Sequence, residues 1–108
     1  MIMKVEMTRH AKEERIDRLT RCMVEIGMNE IIREIVTTTG THGPAIYSIT
    51  DTGLVFIKSP VTNKLITGYM GSVGQIINIF AQIGEEVPRA LLMRVKSNCK
   101  RFPYLLEM

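Results

Sequence analysis

The two histidines are the side chains of this chain best suited to proton transfer near neutral pH. His10 lies in the stretch MTRHAKEERIDRL, where Glu13 and Glu14 follow at helical spacing and can orient its ring. His42 lies in the glycine-containing segment GTHGP. In metal-independent phosphodiester cleavage, one histidine takes the proton of a 2′-hydroxyl and a second protonates the leaving oxygen. Metal-free RNA cleavage is therefore one hypothesis. A solvated helix face and a plain loop residue are the alternatives for the two histidines.

The small surplus of basic over acidic side chains lies mostly in the C-terminal part of the chain, where residues 81–108 contain five basic and three acidic residues. Arg89, Lys96 and Lys100 fall on one side of a predicted helix, and Arg101 lies near them. Such a stripe can bind a phosphate backbone, because each Lys or Arg neutralises one phosphate. An ordinary solvated helix face explains the same spacing, so both interpretations stay open.

The sequence contains no complete metal or nucleotide motif. The carboxylates that follow His10 resemble half of a carboxylate–histidine metal site, but no second half follows. The segment GYMGSVGQ has glycines but lacks the Lys-Ser/Thr pair of a phosphate-binding loop. Cys22 and Cys99 fall at core-facing positions of predicted helices, which favours buried free thiols. We therefore predict no metal and no cofactor.

Length and composition predict a single domain over residues 1–108, since 108 residues that are 45% hydrophobic can bury a core. No segment approaches the roughly 20 apolar residues of a membrane span, and the N-terminal segment lacks the apolar run of a signal peptide. Together with free thiols, these features predict a cytoplasmic protein that does not enter a membrane. The Met-rich N-terminal segment and an exposed strand are compatible with a homodimer.

Hydrophobic periodicity predicts an α+β fold with two N-terminal helices, a three- to four-stranded antiparallel sheet and two C-terminal helices. All helices are expected on one face of the sheet. The predicted helices cover residues 8–26, 30–36, 71–84 and 85–102, and the predicted strands cover 45–50, 54–58 and 64–70.

Several segments between residues 7 and 70 resemble one group of known proteins. These segments are the HA-containing helix with its Glu-Arg pairs, EIIREIV, and TDTGLVFIK followed by TNKLITGY. They resemble small bacterial and phage proteins of the barnase/EndoU/colicin/RelE-like ribonuclease superfamily. The resemblance implies helices followed by an antiparallel sheet of about four strands. It also implies metal-independent RNA cleavage, often by toxins, although other members only bind.

The resemblance also implies roles for particular residues. His10 would be the general acid or base, Lys58 would steady the phosphate and Thr67 would hydrogen-bond it. The remaining positions implied or predicted to contact substrate are Arg15, Arg18, His42, Tyr69, Arg89, Lys96 and Lys100. Tyr69 is expected on the same strand face as Thr67, because the two residues are two positions apart. The chain departs from the HAxxR pattern, since position 14 is Glu and the arginine follows one residue later.

Three functions remain as alternatives. The first is a small RNA-engaging protein of ribonuclease-like fold. A more specific version of this hypothesis is a toxin-like, metal-independent endoribonuclease with an antitoxin-like protein partner. The second is a non-enzymatic phage-type protein that binds and inhibits a host or defence protein through exposed apolar side chains. The third is a DNA-binding regulator, for which EIGMNEI only loosely matches the turn of a helix-turn-helix.

Overall fold

The computed structural model describes residues 16–38 and 43–106, with the side chains of the first helix from Thr20 onward. The part of the first predicted helix before residue 16 lies outside the described residues. None of the helices in the described ranges has the length and apolar character needed to cross a membrane. The elements, in chain order, are α1 (Ile16–Glu25), β1 (Ile31–Thr37), β2 (Ala45–Thr50), β3 (Leu54–Lys58), β4 (Leu65–Met70), α2 (Val73–Ala81), α3 (Arg89–Arg101) and α4 (Pro103–Leu106).

The strands form one antiparallel meander in the order β1-β2-β3-β4. One row of paired residues across the sheet consists of Ile35, Tyr47, Ile57 and Thr67. The α+β class is confirmed, and so are the strands predicted from the β-branched and aromatic residues of the central segment. The sheet has four strands because a segment that was predicted to be helical joins it.

Residues 31–37 form strand β1, so the prediction of a second N-terminal helix over 30–36 is wrong. Five of the seven residues of β1 are Ile, Val or Thr, whose branched side chains pack well on a pleated sheet and lose χ1 freedom in a helix. Ile35 is buried, whereas its neighbour Val36 is 67% exposed on the opposite side of the strand. The described residues therefore contain one N-terminal helix rather than two.

Helices cover both faces of the sheet, so the expectation that they share one face is wrong. On the first face, called the α2/α3 face, the strands pack against buried residues of both C-terminal helices. On the second face, called the α1/α4 face, Leu54 and Met70 contact Cys22 and Ile26 of α1 and Leu105 of α4. Successive strand residues point to opposite faces, and both sets are apolar here. The core of the α2/α3 face includes Ile35, Tyr47, Ile49, Val55, Ile57, Ile76, Ile79, Phe80, Leu91 and Val95.

The two C-terminal helices lie within the predicted segments but begin later than predicted, at Val73 and at Arg89. Ser72 and Gln75 form a capping box, in which each side chain hydrogen-bonds the backbone N–H of the other, at 3.2 and 2.9 Å. Pro88 precedes α3, where its fixed φ suits a helix start. The short helix α4, which no sequence pattern indicated, follows α3 and contacts α1.

Candidate nucleic-acid interface

The outward side of α3 carries five basic side chains, and residues 88–106 contain no acidic residue. All five are exposed, so they lie at the surface that the sequence analysis predicts for the basic stripe. We call this group the cationic face of α3. It consists of Arg89, Arg94, Lys96, Lys100 and Arg101.

The cationic face has two rows, which follow from the rotation of about 100° per residue in an α-helix. Arg89, Lys96 and Lys100 lie within about 40° of one another and form the first row. Arg94 and Arg101 form the second row, about 130° further round the helix. The side chains between the rows are Ala90, Met93 and Ser97. Cations therefore flank an uncharged strip along the helix.

No ion pair joins the cationic face to any of the side chains described in ranges 20–38 and 43–106. The ion pairs present there join Arg33 to Glu85 and Lys58 to Glu34. An exposed cation without a nearby carboxylate retains its attraction for external anions, and several of them on one surface raise the local concentration of a polyanion.

The opposite side of α3 is fixed to the sheet, where Leu91, Val95 and Asn98 are buried. Asn98 Nδ2 donates a hydrogen bond of 2.6 Å to the carbonyl oxygen of Thr52 in the β2–β3 turn. Gly53 in that turn has φ +90°, and a Cβ atom there would lie 2.8 Å from Val95 Cγ2. This close approach requires glycine at position 53. The cations consequently project from a helix that is anchored by packing and by a buried hydrogen bond.

Two aromatic rings follow the last cation of α3. The guanidinium of Arg101 lies 5.2 Å from the centroid of the Phe102 ring. The rings of Phe102 and Tyr104 meet edge to face, with centroids 6.2 Å apart and an interplanar angle of 86°. Tyr104 donates its hydroxyl hydrogen to the carboxylate of Glu25, the last residue of α1, and its side chain is 45% exposed.

This arrangement has the chemistry of a polyanion site. No family model, curated protein or solved structure matches the chain. The geometry of the described residues therefore carries the functional inference. Lys and Arg on a fixed surface can neutralise phosphates and release their counterions, which is the main source of sequence-independent binding to nucleic acids.

Lys58 and Thr67, two of the three residues predicted to be catalytic, lie on opposite faces of the sheet. Thr67 pairs with Ile57, so it points to the α2/α3 face, where it is buried. Lys58 follows Ile57 and points the other way, and its ammonium lies 3.3 Å from Glu34 Oε1. Ser48 Oγ also donates to this oxygen, at 3.4 Å. The structure does not bring Lys58 and Thr67 together, and Glu34 offsets the charge that Lys58 would offer a phosphate.

Tyr69 shares the face of Thr67, as the strand alternation predicts. It pairs with Val55 and is partly buried against the core of the α2/α3 face. Its predicted contact with substrate stays a prediction.

Three further predicted site residues lie wholly outside the described part of the chain. They are His10, Arg15 and His42, whose positions the structure does not describe. Arg18 lies in α1, but its side chain is also outside the described set. The roles of all four residues stay predictions.

Within the ranges that the structure describes, no three His, Cys, Asp or Glu side chains are grouped so that they could hold a metal ion. Neither cysteine forms a disulfide, as the sequence analysis predicts. Cys22 is buried in the core of the α1/α4 face, and Cys99 is partly buried.

Sequence reasoning missed one member of the candidate interface, Arg94, and it placed Tyr104 just beyond the basic stripe without support for a stacking role. Arg94 lies outside the first row, so the spacing of that row does not point to it. The absence of acidic residues from 88 to 106 does indicate that the whole segment carries positive charge. The exposed ring of Tyr104 is fixed by Glu25, which is 79 residues away in the sequence. No local spacing could have predicted that contact.

Proposed function

We propose that the protein is an RNA-binding protein that holds the phosphate backbone on the cationic face of α3. The observation that carries the proposal is the presence of five exposed basic side chains on one anchored helix, with no ion pair to the described residues. Each cation that neutralises a phosphate displaces a condensed counterion, so binding draws on the entropy of ion release. RNA is the polymer that the resemblance to ribonuclease-like proteins implies.

The dimensions of the first row suit several consecutive phosphates. Lys96 and Lys100 are one helical turn apart, about 6 Å along the axis, and Arg89 and Lys100 are about 16 Å apart. A single phosphate backbone that runs along this row can place a phosphate beside each of its three cations. Contact with phosphates alone positions a polymer without selecting a base sequence.

RNA cleavage is a separate hypothesis with less support from the described residues, because Lys58 and Thr67 face opposite sides of the sheet. Incubation of the protein with total RNA and EDTA tests it. Fragments with 2′,3′-cyclic phosphate ends that disappear in His10→Ala would support the endoribonuclease; intact RNA would leave a binding protein. The inhibitor and DNA-regulator hypotheses stay alternatives.

Fluorescence anisotropy with a labelled single-stranded RNA tests the binding proposal. Lys100→Ala removes one cation of the first row, and Lys64→Ala is the matched control because it removes an exposed lysine in the β3–β4 turn. Loss of one charge contact of about 1 kcal/mol weakens binding roughly fivefold. We expect this effect for Lys100→Ala and little change for Lys64→Ala. Equal effects of the two substitutions, or no binding by the wild type, would contradict the proposal.

A further inference from the structure

Tyr104 lies directly beyond the C-terminal end of the cationic face and presents an aromatic ring to solvent. Its side chain is 45% exposed, and it is not part of either buried core. Two contacts hold it in place: the hydroxyl donates to Glu25, and the ring meets the ring of Phe102 edge to face. Hydrogen-bonding the hydroxyl to a different helix restricts the rotation of the ring, so little side-chain freedom remains to be lost on binding.

The charges around Tyr104 are placed unevenly. Arg101 stands over the neighbouring Phe102 ring, on the α3 side. Glu25 and Arg21 both lie near the hydroxyl end of Tyr104 and offset each other, whereas α3 carries only cations. A polyanion that reaches this region is therefore drawn to α3, while the tyrosine ring remains available for an uncharged, flat group.

We propose that Tyr104 is a stacking platform for an unpaired base, and that the ligand of the cationic face is consequently single-stranded RNA. This inference rests on the proposed function. Proteins that bind single strands combine a basic surface that follows the backbone with aromatic side chains on which bases stack. In duplex RNA the bases are already stacked on one another, so a single exposed ring gains nothing from them.

Replacement of the ring tests the proposal by comparing the affinity for a short single-stranded RNA with the affinity for its duplex. Because one stacked base would be lost, Tyr104→Leu should weaken single-strand binding by roughly tenfold or more. Tyr104→Phe keeps the ring but loses the hydrogen bond to Glu25, so it should weaken single-strand binding by less than Tyr104→Leu does. Neither substitution should change duplex binding. An equal loss of affinity for the single strand and for the duplex in Tyr104→Leu would contradict the stacking role of Tyr104.

A second variant measures stacking directly. The chain contains no tryptophan, so Tyr104→Trp introduces a single fluorophore at the platform. We expect its emission to be quenched when single-stranded RNA binds and to be unchanged with the duplex. This measurement still applies if Tyr104→Leu fails to fold, and unchanged emission on single-strand binding would overturn the proposal.

These experiments distinguish a failure of the stacking role of Tyr104 from a failure of RNA binding on α3. If Lys100→Ala weakens RNA binding while Tyr104→Leu and the Tyr104→Trp emission show no effect, the platform is wrong and the proposed function stands. If the wild type binds neither single-stranded nor duplex RNA, both are wrong.

Discussion

At the scale of single residues, the hydrogen bond from Tyr104 to Glu25 raises the pKa of the phenol. The hydrogen bond to a carboxylate is the largest cause, desolvation and the negative charge of Glu25 act in the same direction, and Arg21 opposes them. A phenolate next to a carboxylate would be repelled, so the protonated form is favoured.

Glu25→Gln should therefore lower the pKa of Tyr104 toward its ordinary value. A titration followed by the ultraviolet absorbance of the phenolate measures it, with Tyr104→Phe used to subtract the signals of Tyr47 and Tyr69. An unchanged titration of Tyr104 in Glu25→Gln would show that the contact is absent in solution.

Asp51 in the β2–β3 turn is a second residue whose charge matters for the fold. Burial alone would raise the pKa of its carboxyl group. The hydrogen bonds from the backbone N–H groups of Asn29 and Glu30, from the Asn29 side chain and from its own backbone outweigh burial and lower it. These bonds tie the start of β1 to the turn.

A lowered pKa in the folded state means that the unfolded chain takes up the proton first as the pH falls. The stabilisation by Asp51 is therefore complete at neutral pH. It begins to be lost at about pH 4, near the pKa of the unfolded chain, and the loss continues as the pH falls through the lowered pKa of the folded state. Asp51→Asn should unfold at lower urea concentration than the wild type at neutral pH. Because solvent screens the carboxylate, we expect a difference of up to about 1 kcal/mol. The difference should shrink in acid; a gap that grows as the pH falls would contradict the sign.

At the scale of elements, the position of α3 depends on Asn98, which is buried and donates to the carbonyl oxygen of Thr52. Asn98→Ala leaves that buried carbonyl without this donor, and we expect a loss of about 1–3 kcal/mol in the free energy of unfolding. Ser97→Ala is the matched control, since Ser97 is exposed on the same helix and should change stability by less than about 0.5 kcal/mol. Urea denaturation measures both variants, and equal midpoints would show that α3 is not anchored through Asn98.

The elements also show what the sequence could predict. The three strands of residues 45–70 and the helices α2 and α3 follow from clear periodicity and from turn or cap residues, and the structure has them. EIIREIV has apolar residues at spacings that suit a helical stripe as well as a strand. Pairing with β2 makes this segment a strand rather than a helix, and the local sequence pattern does not show that pairing.

The candidate site was only partly predictable for the same reason. The basic stripe of α3 is local and could be read from helical spacing. The separation of Lys58 from Thr67 depends on sheet register, and the contact of Glu34 with Lys58 depends on the pairing of β1 through β3. Neither can be inferred from spacing along the chain.

At the scale of the whole molecule, the net charge of +3 does not show how unevenly the charges are distributed. In the ranges described, Arg33 and Lys58 are paired with carboxylates, whereas the cations of α3 are not. Among the described residues, α3 therefore carries the largest group of cations without an ion pair, and this group would steer an approaching polyanion to that side.

The salt dependence of RNA binding tests this account most directly. The logarithm of the association constant should fall linearly with the logarithm of salt concentration, with a slope of about −0.7 for each phosphate neutralised on a single strand. The five cations of α3 predict a slope near −3.5 for the wild type, and Lys96→Ala combined with Lys100→Ala should bring it to about −2.1. A slope that is the same in the wild type and in the double variant would show that RNA does not bind on α3.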